Sequence, residues 1–124
     1  MLYHLPETRD AIAEAYRVLR PGGLFIACAP SRYHDPELLE VLPSSQLATF
    51  DAENGPELVG EFFNDLEVIR WDDPLVHLPD QHALKLYLKG RGQSDAQIAE
   101  ADGIASISLT LTKRGALMTG RKAN

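Results

Sequence analysis

The chain has 124 residues, enough for one domain with a core that needs neither disulfides nor metal. Twelve Lys and Arg against eighteen Asp and Glu give a formal net charge of −6, and no basic run breaks the pattern, so the electrostatic footprint of a nucleic-acid binder is missing. A single cysteine excludes an internal disulfide. The lack of a signal peptide or a bilayer-length apolar run argues against membranes and for the cytoplasm.

Residues 8 to 20 carry Ile12, Ala15, Tyr16 and Leu19 on one helical stripe, with Asp10 and Glu14 early and Arg17 and Arg20 late, as the helix dipole favours. Pro21 cannot continue that helix, and Gly22-Gly23 supplies a tight exit. Leu24 to Ala29 shows no alternation of apolar and polar residues, the pattern of a central parallel strand covered on both faces. Cys28 lies inside this run and is expected to be a packed, inert thiol. Pro30 ends the strand, and Ser31 to Pro36 form a polar loop at its carboxyl end, where open α/β sheets bind ligands.

A short helix is expected over 36–42 and an irregular connection over 43–54. Pro56 suits a first helical position, and Leu58, Phe62 and Leu66, with Val59 and Phe63 beside them, predict a helix over 56–65. Residues 67–71 read as a short strand stopped by Asp72-Asp73-Pro74. Asp80 caps a helix over 80–89 with Leu84, Tyr87 and Leu88 inward, and Ser94 with Gln97 forms a capping-box pattern for a further helix ending at Asp102-Gly103. Ile107, Leu109 and Leu111 alternate with Ser106, Ser108, Thr110 and Thr112, a half-buried strand. Lys113-Arg114-Gly115 reads as a turn, with a glycine bulge as one form of it, and 116–121 as the returning strand of an antiparallel hairpin. The order is α/β with an antiparallel finish.

Two phrases carry a resemblance. Met1-Leu2-Tyr3-His4-Leu5-Pro6 and Arg17-Val18-Leu19-Arg20-Pro21-Gly22-Gly23 resemble the middle of class I S-adenosylmethionine-dependent methyltransferases of the small-molecule type. There the first phrase follows the fourth strand, and the second leads into the fifth. Phe62 to Asp73 resembles the region of the sixth strand, and Thr112 to Leu117 the closing seventh. The resemblance implies a Rossmann-like sheet whose last strand is antiparallel and inserted between the fifth and sixth. Residues 1–124 would form the C-terminal portion of such a domain, without its N-terminal strands.

The family's cofactor site rests on a glycine-rich turn after the first strand and an acidic residue after the second, both upstream of the phrase that opens this chain. Gly90-Arg91-Gly92 follows a helix and has Asp95 where a third glycine belongs, and Gly22-Gly23 precedes a strand, so neither reads as a nucleotide loop. The resemblance therefore implies S-adenosylmethionine as cofactor, a small-molecule acceptor, and a truncated enzyme inactive alone. Leu2 and Tyr3 would border the cofactor. His4 reads either as a general base or as an ordinary hydrogen-bonded loop residue.

Arg32, Tyr33, His34 and Trp71 follow strand ends on one side of the sheet and are candidate substrate contacts, with Arg32 suited to a carboxylate or phosphate. The plainer readings are a solvated charge for Arg32 and core packing for Trp71. His77, His82 and His34 lack metal-ligand spacing, so no metal is expected. A strand left without its neighbour exposes an edge, which points to a homodimer or to pairing with a separately encoded N-terminal half. Two other readings stay open: a non-catalytic interaction or regulatory domain that completes its sheet with a partner, and an unrelated small α/β ligand-binding domain.

Overall fold

The computed structural model describes residues 2–38, 48–100 and 108–124, which fall into two units. The first comprises residues 2–34, 48–72 and 114–124, the second residues 35–38, 73–100 and 108–113. The boundary falls inside two long strands. In chain order the elements are α1 (Thr8–Val18), β1 (Leu24–Pro30), α2 (Gly55–Gly60), β2 (Glu67–Leu78), α3 (Gln81–Gly90), α4 (Asp95–Glu100) and β3 (Leu109–Arg121). Short 3₁₀ turns occupy Leu2–His4 and Pro36–Leu38. The strands form one sheet in the order β1-β3-β2, with the last strand of the chain in the middle.

In the first unit, α1 forms where the stripe predicts and buries Ile12 fully. The Thr8 hydroxyl anchors its start, lying within hydrogen-bond reach of the carbonyls of Leu2 and Leu5 at 3.3 and 3.2 Å. At its other end Lys122 Nζ donates to the Leu19 carbonyl at 2.8 Å, a cation on the negative pole of the helix. Gly22 takes φ +75° in the exit turn, the left-handed region that favours glycine. β1 then pairs antiparallel with β3, from Leu24 opposite Arg121 to Pro30 opposite Gly115. The core gathers Ile12, Ala27, Ala29, Phe50, Ala52, Val59, Phe63, Ala116 and Met118.

The second unit has a core of leucines: Leu38, Leu78, Leu84, Leu88 and Leu111. Asp80 caps α3 by accepting from the Ala83 N–H at 2.9 Å. The capping box before α4 is reciprocal. Ser94 Oγ accepts from the Gln97 N–H at 3.2 Å, and Gln97 Oε1 accepts from the Ser94 N–H at 2.8 Å.

Several elements depart from the sequence reading. β1 is an outer strand of the sheet among the described residues, not a central one. Only its alternate residues Ala27 and Ala29 are buried, while Leu24 and Ile26 are 45% and 58% exposed. Cys28 shares their face and is exposed, so the packed-thiol expectation is corrected. The helix over 56–65 ends at Gly60.

Asp72-Asp73-Pro74 does not stop β2, which runs through it to Leu78. An outer strand tolerates proline because the lost N–H need not serve a neighbour. Lys113-Arg114-Gly115 is not a turn: β3 is one continuous thirteen-residue strand, so there is no hairpin at that point. The helix expected over 36–42 is a 3₁₀ turn at Pro36–Leu38, and its remainder lies outside the described residues, as do Ile107 and the stop at Asp102-Gly103. No helix among the described residues is long and apolar enough to cross a membrane.

Candidate functional site

A cleft of about 250 Å³ opens in the first unit beyond the carboxyl end of β1. It is lined by Ser31, Ala52, Glu53, Arg70, Trp71, Asp72, Arg114 and Gly115. Its floor depends on a glycine. A Cβ at position 115 would lie 2.4 Å from Trp71 Cζ2, 2.7 Å from Cε2 and 2.9 Å from the Ala29 carbonyl oxygen. The indole therefore rests directly on the β3 backbone, in room that no other residue leaves. The glycine read as part of a turn serves this close approach instead.

The wall before α2 is built by Asp51. Its Oδ1 accepts from the N–H groups of Glu53 and Asn54 at 2.9 and 2.8 Å, while Asn54 Oδ1 accepts from the Asp51 N–H at 2.9 Å. That knot of local hydrogen bonds sets the loop without any regular structure. It places Glu53 so that its carboxylate accepts from Ser31 Oγ. Ser31 Oγ in turn accepts from the Tyr33 N–H at 3.0 Å.

The cations of the cleft differ in what holds them. Arg114 Nε donates to Asp72 at 2.8 Å and its Nη1 to the Tyr33 carbonyl at 3.1 Å, so its charge is answered. Arg70 Nη1 donates to the Ala52 carbonyl at 2.9 Å, which orients the exposed guanidinium. Among the described residues no carboxylate lies within ion-pair distance of Arg70.

Of the substrate contacts expected from sequence, Trp71 lines the cleft and the other three do not. Arg32 turns both Nε and Nη2 to the buried Asp51 carboxylate, at 3.0 and 2.9 Å. Tyr33 contributes its carbonyl to Arg114 while its ring is 60% exposed. His34 follows in the same loop, its N–H donating to the Ser31 carbonyl at 3.2 Å. Leu2, Tyr3 and His4 form the 3₁₀ turn before α1. Leu2 and Tyr3 pack against the core, and the exposed His4 ring lies 4.4 Å from that of Tyr3. None of the three lines the cleft.

Sequence reasoning missed Glu53, Arg70 and Arg114. Arg70 had a usable signal, since it precedes the only tryptophan in a strand. His77 sits in β2 with Nδ1 3.0 Å from Thr110 Oγ1, and His82 in α3. The described residues contain no group of three His, Cys, Asp or Glu able to hold a metal ion.

A nucleoside cofactor needs a strand, a glycine turn and a helix N-terminus in succession. Among the described residues that succession does not occur: Gly22 and Gly23 lead into β1, and Gly90 and Gly92 close α3. These residues do not fit a complete S-adenosylmethionine site.

The comparisons with known proteins agree with the geometry. Residues 1–27 match the sequence model of a family described as a methyltransferase domain. Among solved structures, a candidate methyltransferase from Bacillus halodurans C-125 superposes with a TM-score of 0.51 at 15% identity. The alignment covers 99% of this chain and 61% of that one. No curated protein matches. The chain thus resembles class I S-adenosylmethionine-dependent methyltransferases and carries part of a methyltransferase fold, spanning about three fifths of that structure. The order β1-β3-β2, with the final strand inserted and antiparallel to β1, is the arrangement that the resemblance implies for the last three strands.

Proposed function

We propose that this chain is the C-terminal, acceptor-side portion of a cytoplasmic S-adenosylmethionine-dependent methyltransferase acting on a small molecule. The observation that carries the reading is the inserted last strand, reached from an opening segment that matches a methyltransferase domain. Among the described residues there is no cofactor cradle, so the chain would act on no substrate alone and would need an N-terminal half, within the same polypeptide or separate. Within that assembly Leu2 and Tyr3 would border the cofactor and His4 is the candidate base. Arg32, Tyr33 and His34 would form the rim of the acceptor site around Trp71.

Calorimetric titration of S-adenosylmethionine tests this. The 124-residue chain is expected to give no saturable heat at ligand concentrations up to roughly 1 mM. A form that also carries a strand, glycine turn and acidic residue upstream should bind in the micromolar range. Micromolar binding by the 124 residues alone would refute the truncated reading, and silence of the extended form would refute the methyltransferase reading.

A second reading, a non-catalytic domain that completes its sheet with a partner, is favoured by the outer position of β1 and the exposure of Leu24 and Ile26. The partner would be a second copy of the chain or a separately encoded N-terminal half. Sedimentation equilibrium decides the self-pairing case: a dimer supports it, and a monomer at about 100 μM, a concentration at which even weak specific pairs form, removes it.

A further inference from the structure

The cleft at Trp71 combines three properties that together select a ligand. Its volume of about 250 Å³ falls just below the roughly 300–1,000 Å³ usual for ligand pockets, which suits a single ring with a short substituent. Trp71 supplies an aromatic wall, packed directly against Gly115 where a side chain would collide with it. Arg70 supplies a guanidinium that donates one N–H to the Ala52 carbonyl and, among the described residues, has no other hydrogen bond and no carboxylate within ion-pair distance. A planar fork held in one orientation is matched to a carboxylate or phosphate, which accepts two parallel hydrogen bonds.

The remaining charges of the cleft do not compete for this role. Arg114 is committed to Asp72 and to the Tyr33 carbonyl. Glu53 accepts from Ser31 and from the Arg32 N–H, and so is turned toward its own loop. Arg32, the arginine that sequence position favours for an anion, is instead bound in two places to Asp51.

We propose that this cleft binds a small aromatic anion, its ring against Trp71 and its carboxylate or phosphate on Arg70. The inference deepens the methyltransferase reading by naming the class of acceptor, and rests on that reading only for the acceptor role; binding itself requires no cofactor.

The chain has one tryptophan, so emission excited selectively from tryptophan reports this cleft. Titration with phenylacetate and with phenyl phosphate is expected to change Trp71 emission saturably, and the tighter of the two distinguishes a carboxylate from a phosphate preference. Neutral phenylacetamide should bind at least about tenfold more weakly, the factor set by one charge-assisted contact. Arg70→Gln should weaken the anion by a similar factor while leaving phenylacetamide unchanged, and a melting curve verifies that the variant is folded. The proposal is overturned if neither anion gives a saturable change, or if phenylacetamide binds as well as phenylacetate. The second comparison needs no variant and stands even if Arg70→Gln fails to fold. Failure of either arm leaves the calorimetric result with S-adenosylmethionine untouched, and failure of that result leaves these titrations valid.

Discussion

The two units build their cores from different side chains. The first packs rings: Phe63 stacks on Phe25 with centroids 4.9 Å apart and meets Tyr16 edge-on at 5.1 Å. Glycines make that possible, since a Cβ at Gly120 would lie 2.7 Å from Phe63 and one at Gly55 would lie 2.8 Å from Met118 Sδ. The second packs leucines, which interdigitate without a unique geometry, and adds a polar knot. Asp35, buried and at φ +51°, accepts from the Tyr87 hydroxyl at 2.7 Å and pairs with Arg91 and with Lys113. Each unit holds a buried aspartate in a polar knot, Asp51 in the first and Asp35 in the second; the ring packing belongs to the first alone among the described residues.

Three substitutions test that contrast, the largest effect first. Phe63→Ala empties the centre of the ring cluster and should cost about 3–5 kcal/mol, read as a shift of the urea midpoint. If it costs less than 2, the rings are not what holds the first unit.

Asp35→Asn keeps a residue that tolerates the left-handed backbone, removes the charge and turns one acceptor oxygen into an NH2 donor. Buried pairs are expensive to break, but Arg91 and Lys113 remain 31% and 24% exposed and recover hydration. A loss of about 1–3 kcal/mol follows. A neutral result would mean that the knot positions the loop without stabilising it.

The smallest effect is pH-dependent. Burial pushes the Glu37 carboxyl up, but hydrogen bonds donated by the Thr112 hydroxyl and N–H outweigh it and hold the group below the usual carboxylate range. A lowered native value means that ionised Glu37 stabilises the folded chain above the ordinary carboxylate range, and that this contribution fades as pH falls through the lowered value. Urea midpoints compared between pH 7 and about pH 3.5 should fall less in Glu37→Gln than in the parent, by no more than about 1 kcal/mol. An equal fall would show that other carboxylates carry the acid sensitivity.

What the sequence made legible was local. The stripe of α1, the glycine exit, the Asp80 cap and the Ser94–Gln97 box each need only a few neighbouring residues, and each formed. The misread features all depend on which strand lies beside which. Pro74 is compatible with a strand only because β2 lies at an edge, and Cys28 is exposed only because one face of β1 is uncovered. Lys113-Arg114-Gly115 has turn chemistry, yet Gly115 is there to admit an indole from a strand more than forty residues earlier. The site was half legible for the same reason. Trp71 stood out by residue type, whereas choosing Arg70 over Arg32 required knowing that Asp51 had already claimed the latter.

Cys28 and Trp71 are each the sole residue of their kind and both belong to the first unit. The sulfur is open to solvent and the indole forms a wall of the cleft. The protein thus comes with a donor and an attachment point for an acceptor already installed. A fluorophore coupled to Cys28 turns energy transfer from Trp71 into a ruler across this unit, able to follow its unfolding or the filling of the cleft without a single engineered residue.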